Sequence, residues 1–376
     1  MITPESFYRS LINSGIGFFS GVPDSLLKSF CAYLQDHCSD EEHVIAANEG
    51  NAVALGIGYH LASNKVPLIY LQNSGLGNVI NPLLSLADPE VYGIPMVLLI
   101  GWRGELGVQD EPQHVKQGCV TESLLETMGV PCEKLTPDMN ALAADQALKT
   151  LVQKTTKQNR PVALLVSKGT FDGYALRKKT PNVFPLFREQ AIQYVVNELG
   201  EKDIVVATTG VTSRELFEYR ASLKQGHDRD FLTVGGMGHA SQIALGIAMQ
   251  KKDRQVICLD GDGAMLMHMG AMAINAASSC ENLKHIIINN GAHDSVGGQP
   301  TVALQIDILK LAAALGYSTV LRGETEADIK QQIRALREVK GPALLEIKTR
   351  RGFRKNLGRP TQTPIQNKNE LMKRLK

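Results

Sequence analysis

No stretch of this sequence approaches the ~20 consecutive apolar residues a membrane-spanning helix needs, which excludes a helical transmembrane protein. Net charge is also missing: 40 Lys and Arg against 38 Asp and Glu leave +2, so no global field favours nucleic acid. The six cysteines (31, 38, 119, 132, 258 and 280) include no CxxC pair and no zinc-finger spacing, and several sit inside apolar segments as free thiols do. A reducing, cytoplasmic setting is therefore expected. The opening residues MITPESFYRSLINSG have no basic region followed by an apolar core, so no secretory leader is expected. Glycine, by contrast, is plentiful. Its 34 copies in 376 residues exceed the usual ~7%, which points to tight turns or close backbone approaches to a ligand.

Short apolar runs recur, each closing on Gly, Asn, Asp or Ser or on a charged residue. They are 17–21, 66–75, 94–101 and 161–169 in the first half, and 203–210, 255–263, 285–291 and 343–348 in the second. Segments with 3.6-residue periodicity lie between them, such as FREQAIQYVVNELG (187–200). Buried strands alternating with helices predict parallel sheets and an α/β fold. The halves resemble each other. Ala54-Leu55-Gly56-Ile57 recurs 190 positions later as Ala244-Leu245-Gly246-Ile247, and each copy leads through a helix into a strand, starting at Val66 or Val256. The order of elements around this match predicts a duplicated α/β domain. The stretch 168–187, rich in Lys, Gly, Thr and Pro, is the expected linker, which gives domains 1–175 and 176–376. In open parallel sheets, ligands bind beyond the carboxyl ends of the strands, where the glycine-rich motifs fall.

One such end reads Asp260-Gly261-Asp262-Gly263. A plain turn explains it with nothing else required. A calcium loop does not, because the chain continues AMLMHMGAM without the further acids and the Glu at position twelve that such a loop uses. The third reading is one half of a metal–diphosphate site, which requires a second cluster. The next predicted strand ends in Asn289-Asn290-Gly291-Ala292, at the same sheet edge. A carboxylate, an amide oxygen and a backbone carbonyl suit a hard divalent cation together with phosphate oxygens, and glycines let the backbone approach a diphosphate.

Gly261-Asp262-Gly263, then about thirty residues, then Asn289-Asn290 resembles the signature of the thiamine diphosphate enzymes. The resemblance implies two doubly wound parallel-sheet domains of the thiamine diphosphate-binding type, with thiamine diphosphate and Mg²⁺ as cofactors. Here a short linker stands where larger members carry a middle domain. The family pattern implies Asp262, Asn290 and the carbonyl of Ala292 as Mg²⁺ ligands. It likewise implies Gly235-Gly236-Met237-Gly238 as the segment under the bent cofactor, with Met237 as wedge and the Gly235 carbonyl facing the aminopyrimidine. Taken alone, that segment also reads as a glycine-rich helix start. Asn48-Glu49-Gly50-Asn51-Ala52 matches the segment whose glutamate bonds the pyrimidine N1′. An acid at a helix N-terminus is its structural alternative. Burial should raise the Glu49 carboxyl. In the family this glutamate comes from a neighbouring subunit, so a homodimer or higher, with sites at the subunit interface, is expected.

Segments 20–30, 73–78, 101–114, 289–301 and 351–361 resemble the phosphonopyruvate decarboxylases and the related sulfopyruvate decarboxylases. The implied reaction converts phosphonopyruvate to phosphonoacetaldehyde and CO₂ through the cofactor's ylide and enamine, as in phosphonate biosynthesis. Sulfopyruvate decarboxylation is the alternative, and a non-catalytic module binding a diphosphate ligand is a third. His114 lies in the loop after strand 94–101 and suits proton transfer; it reads equally as a surface-loop histidine. Asp24 and Ser25 match a substrate-facing position, or else cap a helix. A phosphonate beside a carboxylate calls for converging cations, and Arg103, Lys116, Arg351, Arg354 and Arg359 are the candidates. From Lys348 to the C-terminus ten Lys or Arg face one acid, Glu370. That tail would fold over the site or remain a solvated basic run.

Overall fold

A computed structural model describes residues 2–178 and 183–376; part of the predicted linker, 179–182, lies outside the described residues. The chain divides into two compact units, Met1–Lys179 and Thr180–Lys376.

The first unit holds β1 (Phe19–Gly21), β2 (His43–Ile45), β3 (Leu68–Gln72), β4 (Met96–Gly101), β5 (Cys132–Leu135) and β6 (Pro161–Val166), all parallel, in the order β2-β1-β3-β4-β6-β5. Helices cover both faces. One face packs Phe7, Leu11, Phe30 and Leu148 against Phe19, Leu68 and Leu99, and the other packs Val53, Leu76, Val79 and Leu125 against Ile69, Leu98 and Leu165. Each such side chain contributes roughly 1.5–3 kcal/mol by leaving water. Strands buried on both faces read as unbroken apolar runs, which is why VLLI and VALLV stood out in the sequence.

The second unit holds β7 (Ile204–Ala207), β8 (Asp230–Leu232), β9 (Val256–Gly261) and β10 (Leu283–Asn289). A small hairpin follows, made of β11 (Ala292–His293) and β12 (Gln299–Pro300). β13 (Thr319–Gly323) and β14 (Ala343–Lys348) complete the unit. Its main sheet runs β13-β14-β10-β9-β7-β8, again all parallel. Matching β7 to β1, β8 to β2, β9 to β3, β10 to β4, β13 to β5 and β14 to β6 reproduces the first sheet's order, so the duplication expected from the 190-residue repeat is a duplication of topology. The two copies of Ala-Leu-Gly-Ile lie on equivalent helices, Glu49–Ser63 and Ala240–Gln250.

The basic tail is not a solvated run throughout, because its helix Pro364–Arg374 is docked on its own unit. Asn367 closes the edge strand β8: its Nδ2 donates to the Asp230 carbonyl at 2.8 Å and its Oδ1 accepts from Leu232 N–H at 3.1 Å. Leu371 is buried in the core beside Leu245 and Val256. An edge strand's unpaired backbone groups are a liability, and the tail covers them. Among the described residues no helix is long and apolar enough to cross a membrane, and the six cysteines are free.

Candidate active site

In the second unit β9 ends at Gly261, and a short helix, Asp262–Met267, starts at once. That start places the Asp262 carboxylate at the sheet's carboxyl edge, fully buried, with the Thr301 hydroxyl donating to its Oδ2. Burial pushes the Asp262 carboxyl up to about 6, against the opposing pull of Thr301 and of the Asp262 and Gly263 N–H groups. A buried carboxylate so poorly compensated has the chemistry of a cation ligand.

The neighbouring strand β10 ends on the two asparagines, and they divide their work. Asn289 is consumed structurally, with Nδ2 donating to Glu346 Oε1 at 2.8 Å and to the Ala303 carbonyl at 3.2 Å. Asn290 turns its Nδ2 to Asp294 at 2.7 Å and accepts the Ala292 N–H on Oδ1 at 3.0 Å. Across the hairpin Ala292 pairs with Pro300, which has no N–H to offer the Ala292 carbonyl. An all-oxygen set of carboxylate, amide and main-chain carbonyl fits Mg²⁺.

In the Gly235–Gly238 segment the three glycines have φ of +78, +61 and +85°, the left-handed region that side chains avoid. At Gly238 a Cβ would also lie 2.6 Å from the His268 ring. The bend brings the Met237 methyl within 3.3 Å of where a Cβ on Gly263 would sit. Met237 is half-buried, so the proposed wedge and the Asp262 turn are neighbours.

Asp260, unassigned from the sequence, belongs to the core. It accepts the Gly261 N–H at 2.9 Å and lies 3.3 Å from His285 Nε2, while His285 Nδ1 is 3.2 Å from the Tyr317 hydroxyl. This buried chain braces the turn that carries Asp262.

In the first unit Glu49 opens the helix Glu49–Ser63, with Asn48 capping Gly50 N–H at 2.8 Å. Glu49 is buried; desolvation raises its carboxyl above the ordinary range, opposed by Asn78 Nδ2, which donates to Oε2 at 2.7 Å. The backbone at Gly75 passes so close that a Cβ there would lie 2.5 Å from Glu49 Oε1.

A second cluster gathers at the ends of β1, β3 and β4. Asp24 is fully buried, and its oxygens are taken up as a cap's are: Oδ2 accepts from Leu26 and Leu27 N–H at 2.7 and 3.2 Å, and Oδ1 from Gln72 Nε2 at 2.5 Å. Ser25 Oγ accepts from Arg103 Nη1 at 2.7 Å. Arg103 forks onto Asp110, with Nε to Oδ2 at 2.7 Å and Nη2 to Oδ1. Burial would raise the Asp110 carboxyl, but the Arg103 and Gly104 donors hold it below the usual range. His114, in the first turn of the helix Pro112–Thr127, is buried. Desolvation and the Arg103 charge lower its pKa, against the pull of Asp110 and Asp24, so the ring is neutral near pH 7. Its Nε2 is 3.2 Å from Gln113 Nε2, and His114 Nδ1 and Gln113 Oε1 are buried with no hydrogen-bond partner. Buried polar atoms left without a partner call for an explanation, and the polar groups of a bound ligand would supply one.

The candidate cations separate. Arg103 is neutralised by Asp110, and Lys116 is exposed on the same helix as His114. Arg354 is held by Glu189 and Glu218. Arg359 is exposed, one residue beyond Gly358, whose N–H bonds Glu218 at 2.5 Å. Arg351 reaches the asparagine loop, donating from Nη2 to the Gly291 carbonyl at 2.7 Å, within electrostatic range of Asp262 and Asp294.

Residues 1–124 match the thiamine pyrophosphate enzyme N-terminal TPP binding domain, and 209–347 the C-terminal TPP binding domain. Phosphonopyruvate decarboxylase of Streptomyces hygroscopicus is 32% identical over 97% of this chain and 92% of its own. The chain belongs to the phosphonopyruvate decarboxylase family of thiamine diphosphate enzymes. The same enzyme of Streptomyces viridochromogenes is likewise 32% identical, over 97% of this chain and 93% of its own. Sulfopyruvate decarboxylase of Methanosarcina acetivorans is 27% identical over 92% and 91%. The chain is thus a thiamine diphosphate-dependent decarboxylase, a class that uses the cofactor with Mg²⁺.

For this phosphonopyruvate decarboxylase-family chain, several residues at the clusters went unnamed in the sequence reading. Asn78, Gln72, Asp110, Thr301 and Asp294 all lie within or beside segments that carried the resemblance. A polar side chain in a glycine-rich stretch after a strand was the available signal. Nothing in the spacing tells which partner each one meets.

Proposed function

We propose that the chain decarboxylates phosphonopyruvate to phosphonoacetaldehyde and CO₂, in the route to aminoethylphosphonate-type compounds. The observation that carries this reading is the match to phosphonopyruvate decarboxylases along both halves in one chain, at higher identity than the full-length sulfopyruvate relative. In this reading residues 1–175 bind the pyrimidine end of the cofactor, and 176–376 bind the diphosphate and Mg²⁺. Asp262, Asn290 and the Ala292 carbonyl hold the cation, while Gly261 and Gly263 leave room for the diphosphate. Met237 supports the cofactor from beneath, and the Gly235 carbonyl faces its amino group.

When bound, thiamine diphosphate supplies the carbon nucleophile and accepts the electron pair that CO₂ leaves behind. The protein's part is orientation and proton handling. Glu49, its carboxyl raised by burial, would hydrogen-bond the pyrimidine nitrogen and exchange a proton with it. His114, neutral with an unmet Nδ1, moves protons at the reacting carbon. Ser25, fixed by Arg103, orients the substrate carboxylate, and Asp24 holds the turn that presents Ser25. Arg351, at the asparagine loop, takes the phosphonate; Arg103 and Arg354 are held by carboxylates, and Lys116 and Arg359 add to the surrounding positive field. The active form is at least a homodimer with Glu49 supplied across the interface. Six free thiols support a cytoplasmic setting.

A sulfonate copies the shape of a phosphonate but carries one charge less, and a cationic pocket reads that difference. The kcat/KM ratio for phosphonopyruvate over sulfopyruvate is expected to exceed about 10, roughly 1.4 kcal/mol of discrimination. A ratio below one would transfer the assignment to sulfopyruvate.

A further inference from the structure

Asp294 lies four residues beyond Asn290, and one of its carboxylate oxygens collects three donors. Asn290 Nδ2 reaches Oδ2 at 2.7 Å, the Gly352 N–H at 3.0 Å and Arg188 Nη1 at 3.1 Å. Arg188, from the helix Arg188–Asn197, is buried and also donates from Nε to Glu215 Oε2 at 2.8 Å. Three separate parts of the unit therefore meet at one atom: the loop after β10, the start of the basic tail and the first helix. A second tie joins the same two loops, from Arg351 Nη2 to the Gly291 carbonyl at 2.7 Å. Gly352 has φ of +100°, a conformation suited to glycine, and this brings its N–H onto the carboxylate.

An amide side chain has one donor end and one acceptor end, and only the oxygen ligates a cation. Donation from Asn290 Nδ2 to a fixed carboxylate decides which way the amide is turned and leaves Oδ1 as the end facing away from Asp294. The carboxylate is fixed because Arg188 holds it, and Glu215 in turn holds Arg188. Groups that orient a metal ligand in this way commonly matter 10- to 100-fold for affinity.

We propose that Asp294, locked by Arg188, is a positioning residue that sets the Asn290 amide for the divalent cation and couples the Arg351–Gly352 turn of the tail to the same loop. The proposal rests on the reading of Asp262 and Asn290 as the cation site. Cation affinity and tail order are then linked: what loosens Asp294 weakens the one and frees the other.

The test uses full-length protein and no keto acid, so it stands apart from the substrate assignment. Mg²⁺ is titrated at fixed thiamine diphosphate, and cofactor retained through gel filtration is measured as thiochrome fluorescence. In Asp294→Ala the Mg²⁺ midpoint is expected to rise by roughly 10- to 100-fold, and trypsin should cut after Arg351 and Arg354 several times faster. Arg188 keeps Glu215 in that variant, so no buried charge is stranded. Should the alanine variant fail to fold, Asp294→Asn, equal in shape but uncharged, is measured instead, and its midpoint is expected to rise in the same direction. A purely structural role lowers the folded fraction without moving the midpoint of what remains folded. A midpoint within about twofold of wild type in the folded variant overturns the proposal. Wild-type protein that retains cofactor equally well without Mg²⁺ would overturn the cation-site reading itself.

Discussion

Glu49→Gln is expected to lower kcat by roughly 10²- to 10⁴-fold, the range that a positioned proton-transfer group supplies, with thiamine diphosphate still bound. The carboxyl is buried at the start of its helix and raised by desolvation, with Asn78 on one oxygen. Glutamine keeps the shape and can still accept from Asn78, but it cannot give or take the proton that the pyrimidine nitrogen needs. Burial disfavours the ionised carboxylate, so the neutral variant should be no less stable than wild type at pH 7. Steady-state kinetics together with a thermal melt check both halves of the prediction. Full cofactor-dependent turnover by the variant would remove Glu49 from the chemistry.

Asp262→Asn is expected to abolish Mg²⁺-dependent cofactor retention and at the same time to stabilise the metal-free protein. The Asp262 carboxyl titrates near 6 when folded, whereas an unfolded aspartate titrates near 3.9. A folded-state value raised in this way contributes stability that is fully present below about pH 4 and is lost as pH rises through 6, because the folded state holds a proton the unfolded state has released. A difference of that size corresponds to about 3 kcal/mol at most. In chelator, the variant should therefore exceed wild type most at pH 8, and the gap should narrow on acidification towards pH 5. Mg²⁺ reverses the order, since the ionised carboxylate is what the cation binds. Melts at pH 5, 6, 7 and 8 with and without Mg²⁺ measure this directly. A variant that is less stable than wild type at pH 8 in chelator would show that Asp262 serves the fold and not the cation.

The eight strands read from the sequence are the inner strands of the two sheets: β1, β3, β4 and β6 in one, β7, β9, β10 and β14 in the other. The four that went unread, β2, β5, β8 and β13, are the four edges. An inner strand is covered on both faces and shows as an apolar run. An edge strand such as Cys132–Leu135 or Thr319–Gly323 is half-exposed and carries Glu, Lys or Arg, so its pattern does not differ from that of a loop. The site divides along a similar line. Residues within a short motif at a strand end, such as Asp262 and Asn290, could be singled out from the sequence. Asp110, Asn78 and Asp294 act through contacts made by loops whose course no periodicity reveals. The docking of the tail's helix was hidden for a related reason: charge dominates its composition, while only Asn367 and Leu371 in that helix are buried.

This chain is expected to release CO₂ from phosphonopyruvate only when both cofactors are bound. Phosphorus-31 NMR follows substrate and product in one spectrum, since each carries the phosphonate. With thiamine diphosphate and Mg²⁺ present, the phosphonopyruvate signal should be replaced by that of phosphonoacetaldehyde, with CO₂ evolved in equal amount, and omission of either cofactor should leave the substrate intact. A phosphonopyruvate signal that persists in the fully supplemented protein would contradict the account.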